Sequence, residues 1–341
     1  MARTEPRAGT ASLPSNWREV MRTCSLPEGR RVDRVSRWLI LTRACVQPMT
    51  LTAAAIAGLL SVRAPGFDVG LYALAAIGIV LAHASNNMTN DYFDLDVGAD
   101  TESYPRALYA PHPVLSGMVT KAGLFRAIAM VNTLDLAILV VLFAFRGWPV
   151  VAFAVAGLFI SVFYVARPLR LKEHGLGEPG VFIVWGPLMV GGTYYAAVGN
   201  LPSEVLWASV PYALLVTTVL MGKHLDKIQW DERDRVGTLP VLLGEKTARR
   251  VNVVLMAGYY AAIASLVAVG TLPVFALLGL LALTSTRDLW KVYAAPKPKA
   301  PPPGYPIWPL WFVSWAFRHS RRAGALFVLG LAIGAAWPVF I

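Results

Sequence analysis

Nine of the chain's 20 acidic residues fall in two short stretches, Asp91 to Glu102 and Asp226 to Asp234. The first contains Asp91, Asp94, Asp96, Asp100 and Glu102; the second contains Asp226, Asp231, Glu232 and Asp234. Each follows an apolar run of membrane-spanning length. A carboxylate near a bilayer is costly, on the order of 2.5–3.5 kcal/mol at a helix centre, and like-charged neighbours add to that cost. Divalent cations among the carboxylates relieve both penalties.

In the first stretch, Asn90 and Asp94 are one helical turn apart, as are Asn87 and Asp91, and Asp91 and Asp94 lie three apart. That spacing directs several oxygen ligands at one place, which suits Mg²⁺. Gly98 allows a turn that brings Asp100 back toward it. In the second stretch Asp231 and Asp234 share a helical face with Lys227 and His224, while Asp226 points about 140° from Asp231 on a regular helix. Either a bulge returns Asp226 to the site or Asp234 takes its place. The chemistry that fits is transfer from an isoprenyl diphosphate. Mg²⁺ would neutralise the leaving diphosphate, and a dry cavity with aromatic faces would shelter the allylic cation. Phe163, Tyr164, Trp185, Tyr194 and Tyr195 are the aromatic candidates.

The elements that must position these groups are membrane helices. The chain has 341 residues, 56% hydrophobic and only 15% charged, where soluble domains are about a quarter charged. Apolar segments at 39–62, 69–91, 122–145, 148–166, 179–198, 204–225, 249–269, 272–289 and 322–341 predict nine spans in an all-α, polytopic membrane helix bundle. With the N-terminus in the cytoplasm, about 27 of the 31 Lys and Arg residues fall in inside regions. Arg63 and Arg146 remain in outside loops, and Arg43 and Arg126 sit in helix ends. Both acidic stretches then face the cytoplasm, and the expected location is the plasma or inner membrane, multi-pass.

Residues 1–37 carry eight arginines and no apolar signal core, and read as a mostly disordered cytoplasmic tail ahead of a single membrane domain, 38–341. Cys24 and Cys45 make no CxxC pair and cannot build a disulfide framework, so Cys45 reads as a packing residue. After the Pro-rich stretch 296–303, Trp308, Trp311 and Trp315 with Arg318, Arg321 and Arg322 suggest a short helix in the headgroup region. Asp135 reads as a hydrogen-bonded structural partner of Asn132. The net charge of +11 comes with no nucleic-acid-binding motif, so nucleic acid is excluded as a partner. No obligate protein partner is implied.

At these residues the sequence resembles the UbiA superfamily of intramembrane prenyltransferases. Asn90, Asp94 and Asp100 match its first motif, and Asp231 with Thr238 and Leu239 matches its second. Ser116-Gly117-Met118-Val119-Thr120, Pro168-Leu169-Arg170-Leu171-Lys172, Gly175-Leu176-Gly177-Glu178, Gly186-Pro187-Leu188 and Gly191 to Tyr195 are similar to the menaquinone-branch members, which prenylate 1,4-dihydroxy-2-naphthoate. The resemblance implies a UbiA-like nine-helix fold, catalytic aspartates at Asp94 and Asp231, and Mg²⁺ held among Asn90, Asp91, Asp94, Asp100, Asp226, Asp231 and Asp234. It also implies diphosphate contacts at Lys172, Arg43, Asn90 and Lys223. The substrates would be an isoprenyl diphosphate and a small aromatic acceptor taken from the bilayer. Lys223-His224 stand where menaquinone-branch enzymes often have Asn. A different acceptor or none, as in a membrane terpene cyclase, is the second reading. A cation-coupled transporter is a remote third, because the acids lie at helix ends rather than at the midplane.

Overall fold

The computed structural model describes residues 12–27, 29–96, 112–305 and 308–340, without the side chains of Asp94 and Asp96. Helix starts follow local signals. Asp33 caps α2 (Arg34–Leu41): its Oδ1 accepts from the N–H groups of Val35 and Ser36, and the Trp17 indole donates to the same oxygen at 3.0 Å. That last bond ties α2 to α1 (Leu13–Thr23), whose Val20 is fully buried. Two helices therefore stand where a largely disordered tail was expected. The expectation about the cysteines also fails: Cys24, just past α1, is disulfide-bonded to Cys45 with Cα atoms 5.2 Å apart.

The expected first span is interrupted. Arg43 adopts a left-handed conformation (φ 50°) between α2 and a short 3-10 turn, Ala44–Val46. Helix α3 (Gln47–Ser61) begins after it with Pro48 in its first turn, where a missing N–H costs nothing. Then come α4 (Val69–Asp96), α5 (Lys121–Arg146), α6 (Trp148–Phe163), α7 (Gly177–Val198) and α8 (Ser203–Arg233). A short α9 (Leu239–Leu243), α10 (Glu245–Ala268), a 3-10 segment Val274–Ser285, α11 (Thr286–Ala294) and α12 (Phe312–Ala336) complete the order. Within α7, residues Val184–Gly191 wind as π-helix around Pro187. No strand occurs among the described residues; a lone bridge joins His174 to Gly237.

Among the described residues, six helices are long and apolar enough to cross a membrane: Ala44–Ser61, Val69–Phe93, Lys121–Arg146, Gly177–Val198, Ser203–Arg233 and Glu245–Ala268. The chain is a multi-pass membrane protein, but the count of nine is not met on these criteria. Helix α6 is apolar and only 16 residues long, the expected eighth span is a 12-residue 3-10 helix, and α12 starts ten residues before the expected ninth. Trp315, Arg318, Arg321 and Arg322 belong to α12 itself, so the separate interfacial helix is not formed.

The two arginines left in outside loops have structural work. Arg146 donates to the carbonyls of Ala196 and Ala197, each at 2.8 Å, at the C-terminus of α7. Arg63 donates to Ala335 at the end of α12 at 2.9 Å. A cation there satisfies orphan carbonyls and complements the helix dipole. Lipid tails are as apolar as the side chains facing them, so close packing rather than water exclusion holds the spans together. Small residues make it possible: a Cβ at Gly330 would strike the Phe275 carbonyl, and one at Gly186 would lie 2.7 Å from Ala213. The main core gathers Ile56, Tyr212, Tyr259, Ile263 and Phe327 from α3, α8, α10 and α12.

Candidate active site

The last turns of α4 and the turn before α3 meet at the first acidic stretch. The fully buried carboxylate of Asp91 is ion-paired with the Arg43 guanidinium. One helical position away, Asn90 has its side-chain oxygen buried without a hydrogen-bond partner, which costs free energy unless a ligand completes it. Helix α4 continues through Asp94 and Asp96, but their side chains, and all of Asp100, lie outside the described residues.

The second stretch closes α8. Asp231 is fully buried, accepts from the Thr238 hydroxyl at 3.3 Å, and has Lys227 Nζ at 3.9 Å. Thr238 is placed by the bridge between Gly237 and His174, which brings the loop after α8 beside the loop carrying Lys172. Glycine is required at 237, because any Cβ there would collide with the Glu173 carbonyl. Arg170, in the same loop, holds φ 40°.

The structure does not bring Asp226 to this site. Helix α8 runs without a bulge to Arg233, and both Asp226 oxygens are used elsewhere. They accept from the N–H groups of Phe312 and Val313, each at 2.9 Å, and lie 3.5 Å from Lys297 Nζ. Asp226 thus caps α12 rather than facing Asp231. Burial pushes the Lys297 ammonium below the ordinary lysine range, against the pull of the Asp226 carboxylate. Asp234 is exposed and paired with Arg233 at 2.8 Å, which holds its carboxyl below the usual range. Among the described residues no three His, Cys, Asp or Glu side chains gather around one point.

A cavity of about 1640 Å³ runs from these helix ends into the bundle. That exceeds the roughly 300–1,000 Å³ of pockets for drug-sized ligands. Arg43, Asn90 and Lys223 line it with Tyr164 and Trp185. Of the other aromatic candidates, Tyr194 is buried in the core, Tyr195 donates to the Arg146 carbonyl and Phe163 packs on Phe159. Lys172 is not among the cavity-lining residues. Asp135 does line the cavity, while Asn132 accepts from Ser85 at 2.7 Å, so the expected Asp135–Asn132 pair gives way to a different one.

One arrangement has little sequence signal. The buried His224 ring donates from Nδ1 to Glu178 at 2.8 Å, and Tyr164 Oη lies 3.4 Å from its other nitrogen. Glu178, buried in the first turn of an apolar helix, was the available hint.

The sequence profile of the UbiA prenyltransferase family matches residues 51–310, which span both acidic stretches. The chain belongs to the UbiA family. It is a prenyltransferase. Relatives within the UbiA family include 1,4-dihydroxy-2-naphthoate octaprenyltransferase of Escherichia coli, 28% identical over 243 residues that cover 67% of this chain and 75% of that one. The UbiA prenyltransferase domain-containing protein 1 of Gallus gallus is 25% identical over 64% of this chain and 65% of its own length. Among solved UbiA folds, a homolog from Archaeoglobus fulgidus bound to GPP and Mg²⁺ superposes with a TM-score of 0.58 at 14% identity, covering 87% of this chain and all of that one. A digeranylgeranylglyceryl phosphate synthase superposes with a TM-score of 0.57 at 16% identity, covering 88% and 98%.

Proposed function

We propose that the protein transfers a prenyl group, with Mg²⁺, from an isoprenyl diphosphate to an aromatic acceptor resembling 1,4-dihydroxy-2-naphthoate. The observation that carries this reading is the convergence of Arg43, Asn90 and Lys223 on one large cavity with Tyr164 and Trp185. The orphaned oxygen of Asn90 beside the buried Asp91 fits a hard cation. Asn90, Asp91, Asp94 and Asp100 would hold it on one side and Asp231 on the other. Bound there, Mg²⁺ neutralises the charge that develops on the diphosphate as its C–O bond breaks. Asp226 and Asp234 are left out of this set because their oxygens serve α12 and Arg233.

Each remaining step falls to the chain's own residues. Arg43, Lys223 and Lys172 hold the diphosphate oxygens, so the donor's first carbon points down the cavity. The faces of Tyr164 and Trp185 stabilise the allylic cation, and the apolar lining keeps water from quenching it. The ring carbon of the acceptor then forms the new C–C bond, and the displaced substituent leaves as a proton or as carbon dioxide.

The topology belongs to the same reading. Helix α6, the 3-10 segment and α12 bring the crossings to nine, and the basic-residue asymmetry puts the N-terminus and both acidic stretches in the cytoplasm. The test is incubation of purified protein with Mg²⁺, a prenyl diphosphate and the naphthoate, followed by mass analysis. A prenylated naphthalene supports the proposal, and absence of diphosphate release overturns it. Fold alone does not select the acceptor, since the digeranylgeranylglyceryl phosphate synthase shares it. Diphosphate release without added acceptor would favour the cyclase alternative.

A further inference from the structure

The cavity has a second cationic region that diphosphate chemistry does not use. Arg318, Arg321 and Arg322 occupy one stretch of α12, spaced three and four apart, and all three line the cavity. Arg321 donates to the Cys45 carbonyl at 3.2 Å, which fixes it at the seam between α12 and the start of α3. Arg322 donates to the Thr284 hydroxyl at 3.2 Å. The Arg318 and Arg321 guanidinium groups lie over the rings of Trp315 and Phe317, at 5.2 and 4.5 Å from their centroids. None of the three has a carboxylate within ion-pair distance among the described residues.

A guanidinium stacked on a ring is held flat, with its N–H edge directed outward in the geometry that takes a carboxylate in two parallel hydrogen bonds. Beside these edges the cavity wall is apolar, formed by Met49, Val313 and Phe317. A flat hydrophobic surface flanked by unneutralised guanidinium groups fits a planar ring that carries an acid group. A second observation separates this region from the diphosphate end. The diphosphate contacts proposed above come from the α4 and α8 ends and the loop with Lys172, whereas these arginines stand on α12 against α3. The buried Asp226 carboxylate sets this end of α12 in place by capping Phe312 and Val313.

We infer that Arg318 and Arg321 bind the carboxylate of an acidic aromatic acceptor and so determine acceptor specificity; this rests on the transfer reading above. The same guanidinium groups could instead hold the phosphate of an anionic lipid headgroup, and the experiment separates the two sources. Full-length protein is placed in phosphatidylcholine vesicles with or without phosphatidylglycerol. Binding and turnover are measured with 1,4-dihydroxy-2-naphthoate and with 1,4-dihydroxynaphthalene, the same ring without the acid.

Arg321→Gln and Arg318→Gln are expected to weaken binding of the naphthoate, and to raise its KM, by roughly 10- to 100-fold, the value of a charge-assisted hydrogen bond. The diol's affinity and the donor's KM stay within about twofold. Arg321→Lys recovers part of the naphthoate affinity, which a misfolded variant would not. Equal losses for both acceptors, or losses that follow phosphatidylglycerol content rather than the acid group, overturn the inference. If the wild type binds the naphthoate in an arginine-dependent way yet transfers to neither ring, the transfer reading fails and the subsite stands. Turnover of both rings without discrimination sinks the subsite alone.

Discussion

The guanidinium of Arg43 and the carboxylate of Asp91 form an ion pair that joins the turn before α3 to the last turns of α4. Arg43 holds a left-handed backbone to make it, and such a conformation costs on the order of 1–3 kcal/mol unless the surroundings fix it. Removing one partner of a buried pair leaves an uncompensated charge, a loss of about 3–5 kcal/mol. Arg43→Gln should therefore lower the unfolding temperature as well as turnover. With Asp91→Asn added, the two stability losses should be less than additive. Thermal unfolding of the single and double variants measures the coupling.

Asp226 and Asp231 separate a structural role from a catalytic one. Asp231→Asn should cut kcat by about 100- to 1,000-fold, the scale of losing a group that stabilises the transition state. Asp226→Asn should leave kcat within a few-fold, since its amide oxygen can still accept one N–H of the α12 cap, while lowering the unfolding temperature. Equal kcat losses would return Asp226 to the metal site.

The backbone contact at Gly237 gives a third outcome. A Cβ there collides with the Glu173 carbonyl, so Gly237→Ala must separate the two loops or shift the chain, at about 1–3 kcal/mol for overpacking. Because those loops carry Lys172 and Thr238, the expected kinetic signature is a raised KM for the prenyl diphosphate with acceptor KM unchanged. Steady-state kinetics with each substrate varied checks it.

Asp33 supplies a pH dependence outside the spans. Burial raises its carboxyl, but hydrogen bonds from Ser36 and Trp17 outweigh it and hold the pKa well below the ordinary carboxylate value. A carboxyl depressed in the folded state contributes stability that is complete above the unfolded pKa, about 3.9. That contribution is lost as pH falls through the lower folded value. Trp17 fluorescence should therefore be flat above about pH 5 and change only on further acidification. Asp33→Asn should remove that acid-side change.

The disulfide has a redox consequence that follows from the proposed topology. If Cys24 and Cys45 face the cytoplasm, reducing conditions keep them as thiols in the cell, and the bond forms on exposure to oxidant. Alkylation of protein denatured without reductant should label neither cysteine after oxidation and both after dithiothreitol. Labelling of both cysteines after oxidation would mean that the pair does not close.

Much of this was legible in residue types and spacing because the two acidic stretches are local. Asn90 and Asp91 share the last turns of one helix, and Asp231 precedes Thr238 by a single short loop, so spacing alone placed them. The phase of Asp226 was also readable, about 140° from Asp231. Its partner was not, because Phe312 and Val313 lie more than 80 residues away in sequence. Long-range pairing likewise concealed Cys24–Cys45, Arg43–Asp91 and Glu178–His224. The span count drifted for a different reason. Hydropathy registers apolar content and is blind to winding, so a 3-10 segment and an arginine-bearing helix start scored as an ordinary span and a headgroup helix.

The π-wound stretch of α7 acts as a phase adjuster for the membrane interior. It spends more residues per turn than the helices on either side, and Trp185, which lines the cavity, and Tyr194, which is buried in the core, lie on opposite sides of Pro187. Deleting one residue between Val184 and Gly191 would let α7 relax to ordinary winding and rotate everything after the deletion by about 100°. Tyr194 would leave the core, and the carbonyls of Ala196 and Ala197 would turn from Arg146. In this helix one residue of length therefore counts for more than the identity of most side chains.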